Sequence, residues 1–121
     1  MCPSNLEVFF STATQYYVAG RFAALAGLAP VAGNLLHHGI EMYLKGILSK
    51  TKSLDDLKGL FHNLPKIWAC LKSEVAEPAL DSFDAVVSSL HAFEELRYPN
   101  SVLAKGMLVR ISVTRPTDPL A

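Results

Sequence analysis

The stretch Gly33-Asn34-Leu35-Leu36-His37-His38-Gly39-Ile40-Glu41-Met42-Tyr43-Leu44-Lys45-Gly46 sets the period on which the chain is built. At about 100 degrees per residue, Asn34, His38, Glu41 and Lys45 share an arc of roughly 60 degrees on one helix. Leu36, Ile40, Tyr43, Leu44 and Ile47 fall on the other side, and His37 stands at the stripe's edge. Two readings follow. The stripe is the solvated face of an amphipathic helix, and Glu41–Lys45 is an ordinary i,i+4 pair worth about 0.3–0.5 kcal/mol. Alternatively it turns toward a groove or an interface. Leu35, Met42 and Leu48 flank it, which favours the second reading. So do Gly33, Gly39 and Gly46, each of which costs about 1 kcal/mol in a helix relative to Ala. Such glycines make sense where a neighbouring helix approaches closely.

Working outward, Phe9, Ala13, Tyr16, Gly20, Ala23 and Gly27 recur at three- and four-residue steps, which predicts a first helix from Ser4 to about Leu28. Pro30 suits the first turn of the second helix, which runs to about Lys50. Ser53-Leu54-Asp55-Asp56 has the form of a helix start, with a short turn to Gly59. Phe61-His62-Asn63-Leu64-Pro65 reads as a loop into a helix that carries Ile67, Trp68 and Leu71 and stops near Glu77-Pro78. A last helix is expected from Pro78 to Tyr98. Met107, Val109, Ile111 and Val113 then alternate with Leu108, Arg110, Ser112 and Thr114, which is a strand pattern. The expected fold is all-α: an up-and-down bundle of about four to five helices with a short C-terminal β-strand or hairpin. Residues 1–100 form the bundle and 101–121 a strand-like tail with a frayed end.

The chain has 121 residues, half of them hydrophobic and 18% charged, with 11 basic against 11 acidic side chains. That balance excludes a disordered polyelectrolyte and a protein that coats nucleic acid generically. Cys2 and Cys70 make neither a disulfide framework nor a zinc spacing. Residues 22–40 lack Asp, Glu, Lys and Arg, but Pro30 and the polar residues divide the run into two helices rather than one membrane span. With no basic leader after Met1, a cytoplasmic location is expected.

The last helix carries two charges on its apolar side. Phe83, Val86, Val87, Leu90 and Phe93 define that side, and Glu94 and Arg97 fall inside it, while Asp84, Ser88 and His91 lie opposite, with His91 read as solvated. Glu94 and Arg97 either pair within the helix at its end or meet the stripe of the second helix. In the second case Asn34, His38, Glu41, Lys45, Glu94 and Arg97 form one polar cluster suited to an anion such as phosphate. No metal site is expected. The zincin order of His and Glu is missing, Glu-x-x-His does not occur on two helices, and Lys45 repels a cation. His62 is expected to cap the next helix or to pack beside Trp68. No nucleophile-elbow motif or phosphate-binding glycine loop occurs, so no catalytic residue is assigned.

The run from Gly33 to Gly46 resembles the second helix of HEPN domains, in which a His-x-x-Glu-x-x-x-Lys pattern recurs. His62-Asn63-Leu64-Pro65-Lys66-Ile67-Trp68 resembles the "His-x-Leu…Leu-Trp" segment of that superfamily. Phe93-Glu94-Glu95-Leu96-Arg97-Tyr98-Pro99 resembles the Arg-Tyr-Pro end of some stand-alone bacterial members. Together these cover roughly residues 5–100. The resemblance implies a helical bundle, a homodimer, and a nucleotide- or RNA-linked role, in some members beside a nucleotidyltransferase-type protein partner. The ribonuclease members carry an Arg followed four to six residues later by His, and none of Arg21, Arg97, Arg110 or Arg115 has such a His. The expectation is therefore a polar pocket of Asn34, His38, Glu41, Lys45, Glu94, Arg97 and Tyr98 that binds a nucleotide, RNA or another phosphate-bearing ligand. No cofactor and no membrane are involved. The alternatives are a metal-independent ribonuclease using His38 and Arg97, and a non-catalytic interaction module.

Overall fold

In the computed structural model the described residues are 4–93. They form an all-α bundle: α1 (Asn5–Leu25), α2 (Ala29–Leu48), the one-turn α3 (Leu54–Lys58), α4 (Leu64–Val75), a 3-10 turn over Pro78–Phe83, and α5 (Asp84–Ala92). The expected C-terminal strand and the residues Glu94, Arg97 and Tyr98 lie outside the described residues.

Local chemistry sets the helix ends. Ser4 caps α1 in a reciprocal box with Glu7, which satisfies two otherwise unpaired N–H groups. Gly27 closes α1 at φ +79°, where an L side chain is strained. The Leu28 N–H then reaches Ala23 O and the Gly27 N–H reaches Ala24 O, which meets the last free carbonyls of the helix. Pro30 sits in the first turn of α2. Ser53 caps α3 and Asn63 caps α4.

The hairpin of α1 and α2 is the most closely packed pair in the fold. A Cβ on Gly39 would stand 3.4 Å from the Ala13 carbonyl oxygen, and one on Gly46 would stand 2.9 Å from the Phe10 ring. Gly33 is in contact with the ring of Phe93. The glycines of α2 are therefore the positions at which α1 and the end of α5 come close. Tyr43 and Thr14 share a hydrogen bond of 2.9 Å across the hairpin.

The other side of α2 faces the core. Leu44, Leu48, Leu57, Leu60, Leu64, Ile67, Trp68, Leu71 and Val87 bury together between α2, α3, α4 and α5. Burial of each such side chain contributes about 1.5–3 kcal/mol, and this term holds the short helices in place. A clamp ties α4 to α5: Trp68 Nε1 donates to Asp84 Oδ1 at 2.6 Å, and Lys72 Nζ donates to the same oxygen at 2.9 Å.

The last helix differs from expectation. Its first turn is 3-10, so α5 begins only at Asp84. A 3-10 turn advances about 120 degrees per residue rather than 100, so the phase counted from Leu80 does not carry into α5. Phe83 and Val86, expected in the core, are each 54% exposed, while Val87 is buried.

Candidate functional site

Glu41 is fully buried in the middle of α2, and a carboxylate there needs partners. It has two at hydrogen-bond distance. Lys45, one turn on, donates from Nζ to Oε2 at 3.0 Å. His62, from the loop before α4, places Nδ1 at 2.9 Å from Oε1 and 3.1 Å from Oε2. A carboxylate only accepts, so the hydrogen of His62 sits on Nδ1 and its Nε2 is left for other partners. Lys45 also donates to the Phe61 carbonyl at 2.7 Å. Phe61 adopts φ +52°, in the left-handed region, and that turn lets its carbonyl face Lys45 while His62 faces Glu41.

More imidazoles surround the pair. His38 Nδ1 lies 3.9 Å and His37 Nδ1 4.0 Å from the same Oε1. Ring contacts run from His62 to His38 at 5.7 Å, to His37 at 5.6 Å, and on to His91 at 6.1 Å. Three histidines therefore gather around one carboxylate, and the fourth, His91, stacks behind His37. Access is graded: His37 is fully buried, the His38 side chain is 18% exposed, and that of His62 is 54% exposed. Tyr16 of α1 packs against His38 at 5.4 Å.

The stripe read from the sequence is thus not a solvated face. Glu41 and Lys45 are buried, and Asn34 and His38 are half-buried. The Asn34 Nδ2 is buried without a hydrogen-bond partner among the described residues. Lys45 spends two of its donors inside the protein, so it neutralises Glu41 rather than projecting toward a ligand. Two further residues sit differently from expectation: the capping role of His62 and the open face of His91 are not found. His62 does not cap α4, which Asn63 does, and its Nδ1 is bonded to Glu41. His91 is not on an open face. Its Nδ1 is buried and its ring approaches His37, one turn beyond buried Val87 on the inner side of α5. Loop residue His62 had no periodic signal to place it, and neither did the turn at Phe61.

Among the described residues, His37, His38 and Glu41 offer ligand atoms that all lie within 4.8 Å of one another, so they could hold a metal ion. No helix among the described residues is long and apolar enough to cross a membrane. Compared with protein-family models, with curated proteins and with solved structures, the chain matches none.

Proposed function

We propose that this chain is a HEPN-like, homodimeric helical protein that binds a phosphate-bearing ligand, a nucleotide or an RNA end, at the polar site around Glu41. The observation that carries this reading is His62. Its Nδ1 is fixed on a buried carboxylate, while 54% of its side chain is open to solvent. Lys45 already balances the charge of Glu41, so the exposed imidazole edge of His62 is left to meet a polar or anionic group of a ligand. Half-buried His38 and Asn34 extend the same polar surface. Glu94, Arg97 and Tyr98, outside the described residues, remain part of the proposed pocket through the resemblance alone. The homodimer reading is supported by Val18, Phe22 and Leu25, an exposed apolar stripe on one side of α1.

A second reading draws on the same pair. A histidine oriented by a buried carboxylate is the arrangement of a general acid–base. In a ribonuclease version of this protein, His62 therefore takes the role expected of His38.

A thermal-shift series with inorganic phosphate, AMP, ADP and a short single-stranded RNA tests the binding reading. Ligand binding to the folded state raises the melting temperature by mass action. A rise that His62→Ala removes is the expected result. The binding reading fails if none of these ligands moves the wild-type transition. RNA cleavage by wild type that is lost in His62→Ala would favour the second reading.

A further inference from the structure

We infer that the cleft beside Tyr16, between α1 and α2, seats a nucleobase, so that the ligand of the His62 site is a nucleotide rather than bare phosphate or a sugar phosphate. The inference rests on the phosphate reading for one end of the ligand and on the cleft for the other.

α1 offers Thr12, Gln15, Tyr16 and Ala19 on one face, and Leu35 of α2 forms the opposite wall. The cleft has a volume of about 390 Å3, inside the range of about 300–1,000 Å3 that holds small ligands. Its place follows from the close approach of the two helices. A Cβ on Gly39 would stand 3.6 Å from Tyr16 Cβ, so α2 lies against the root of the tyrosine side chain. The ring then meets His38 at 5.4 Å with a tilt of 35 degrees. One side of the Tyr16 ring is thereby taken, and the half-buried residue still lines the cleft.

The lining says what kind of group fits. None of the five residues is charged, so the cleft holds no counter-ion for a phosphate or a carboxylate and suits a neutral group. Leu35, Ala19 and the tyrosine ring are apolar surfaces, while the Thr12 hydroxyl and the Gln15 amide supply donors and acceptors. Those two polar groups make no hydrogen bond among the described residues, so they are open to a ligand. A flat group with apolar faces and a hydrogen-bonding edge matches this lining, and a nucleobase is such a group. An aliphatic chain would leave the hydroxyl and the amide unmatched.

His38 joins the cleft to the site around Glu41. Its ring meets Tyr16 on one side and His62, at 5.7 Å, on the other. Two ring contacts therefore separate the uncharged cleft from the exposed imidazole. A nucleotide divides in the same way, into a neutral base and an anionic phosphate.

The test is titration of the full chain with AMP, UMP, ribose 5-phosphate, adenosine and uridine, read by calorimetry and by the NMR signals of the Tyr16 ring. At least one nucleotide should bind about fivefold or more tighter than ribose 5-phosphate, the scale of a single base–aromatic stack. Tyr16→Ala should remove that advantage and leave ribose 5-phosphate within about twofold of wild type. Tyr16→Phe, which keeps the stacking face, should retain it. Gln15→Ala, at an exposed position where folding is not at stake, should weaken the nucleotide about two- to tenfold by the loss of one hydrogen bond. A nucleoside that shifts the Tyr16 signals while ribose 5-phosphate fails to bind keeps the cleft as a base site and removes the phosphate end. Ribose 5-phosphate that binds as tightly as both nucleotides keeps the phosphate end and overturns the base site. So do nucleotides that bind Tyr16→Ala and Gln15→Ala as they bind wild type, or that leave the Tyr16 signals unmoved. No binding by any of these compounds overturns both.

Discussion

His62 Nδ1 donates a hydrogen bond of 2.9 Å to Oε1 of Glu41, 21 residues earlier in the chain. One partner is fully buried and the other is more than half exposed. A hydrogen bond to a charged group contributes about 1.5–3 kcal/mol, so His62→Ala is expected to lower stability by that amount. An ordinary exposed histidine changes stability by about 0.5 kcal/mol or less when substituted. Urea denaturation of the two proteins separates these cases, and a loss below about 0.5 kcal/mol would place the pair among surface contacts.

Lys45 tests the same carboxylate from the other side. Removal of one member of a buried ion pair leaves a charge without compensation and costs about 3–5 kcal/mol. Lys45→Met is expected to show a loss of this size. Glu41→Gln together with Lys45→Met should recover part of it, because the stranded charge is then gone. Equal stability for Lys45→Met and wild type would mean that the site is wetter than its 6% exposure implies.

Helical periodicity made the bundle legible. It placed α1, α2 and α4 to within a few residues and put Asn34, His38, Glu41 and Lys45 on one stripe. The glycines of α2 signalled close packing, and Gly39 and Gly46 do lie against α1. The site's loop half was not legible. The position of His62 depends on a left-handed residue, Phe61, for which nothing in the sequence asks. The first six residues of the last helix take the tighter 3-10 form, and the side of α5 that turns inward carries Val87 and His91, one turn apart, while Phe83 and Val86 face outward. The clamp of Trp68 and Lys72 on Asp84 escaped notice for a related reason. It joins two helices whose relative rotation periodicity does not give.

The two α2 glycines facing α1 should respond oppositely to alanine. At Gly46 a new Cβ would meet Phe10 Cδ1 at 2.9 Å and Phe9 Cβ at 3.0 Å, and the second atom is fixed by the backbone of α1. Overpacking of this kind costs about 1–3 kcal/mol, more than the gain of about 1 kcal/mol in helix propensity. At Gly39 the nearest atoms stand at 3.4 Å, an ordinary contact, so the propensity gain dominates. Gly46→Ala is expected to melt below wild type and Gly39→Ala at or above it. The reverse order would show that α1 and α2 are spaced differently from this arrangement.

Asp84 gives the bundle an acid-sensitive joint. Its carboxyl is held below the usual carboxylate range, first by the hydrogen bond from Lys72 and then by the one from Trp68. A carboxyl with a lowered folded-state pKa contributes stability that is present above its ordinary value and lost as the pH falls through the folded value. Lys72, raised above its ordinary value mainly by its bonds to Asp84 and then Asp81, makes the mirror contribution, lost only as the medium becomes strongly alkaline. Asp84→Asn should therefore flatten the fall in melting temperature below about pH 4, while both proteins keep similar slopes near neutrality. Trp68, the single tryptophan, reports the same event through its emission. An unchanged acid slope in Asp84→Asn would assign acid lability to other carboxylates.

Phe22 is 70% exposed on α1, and Val18 and Leu25, one turn to either side, are 45% and 47% exposed. In the homodimer reading this stripe is covered by the partner chain, and Phe22→Glu should separate the protomers by placing a charge in an apolar contact. In the monomer the same change sits in water and alters stability by about 0.5 kcal/mol or less. Sedimentation across a hundredfold dilution is the measurement. The expected pattern is a mass that falls with dilution for wild type and stays at one chain for Phe22→Glu, with the same helix content by circular dichroism. A wild-type chain that sediments as a monomer at every concentration would remove the dimer from the proposal and leave the stripe as bare surface. A dimer that survives Phe22→Glu would move the interface to another face of the bundle.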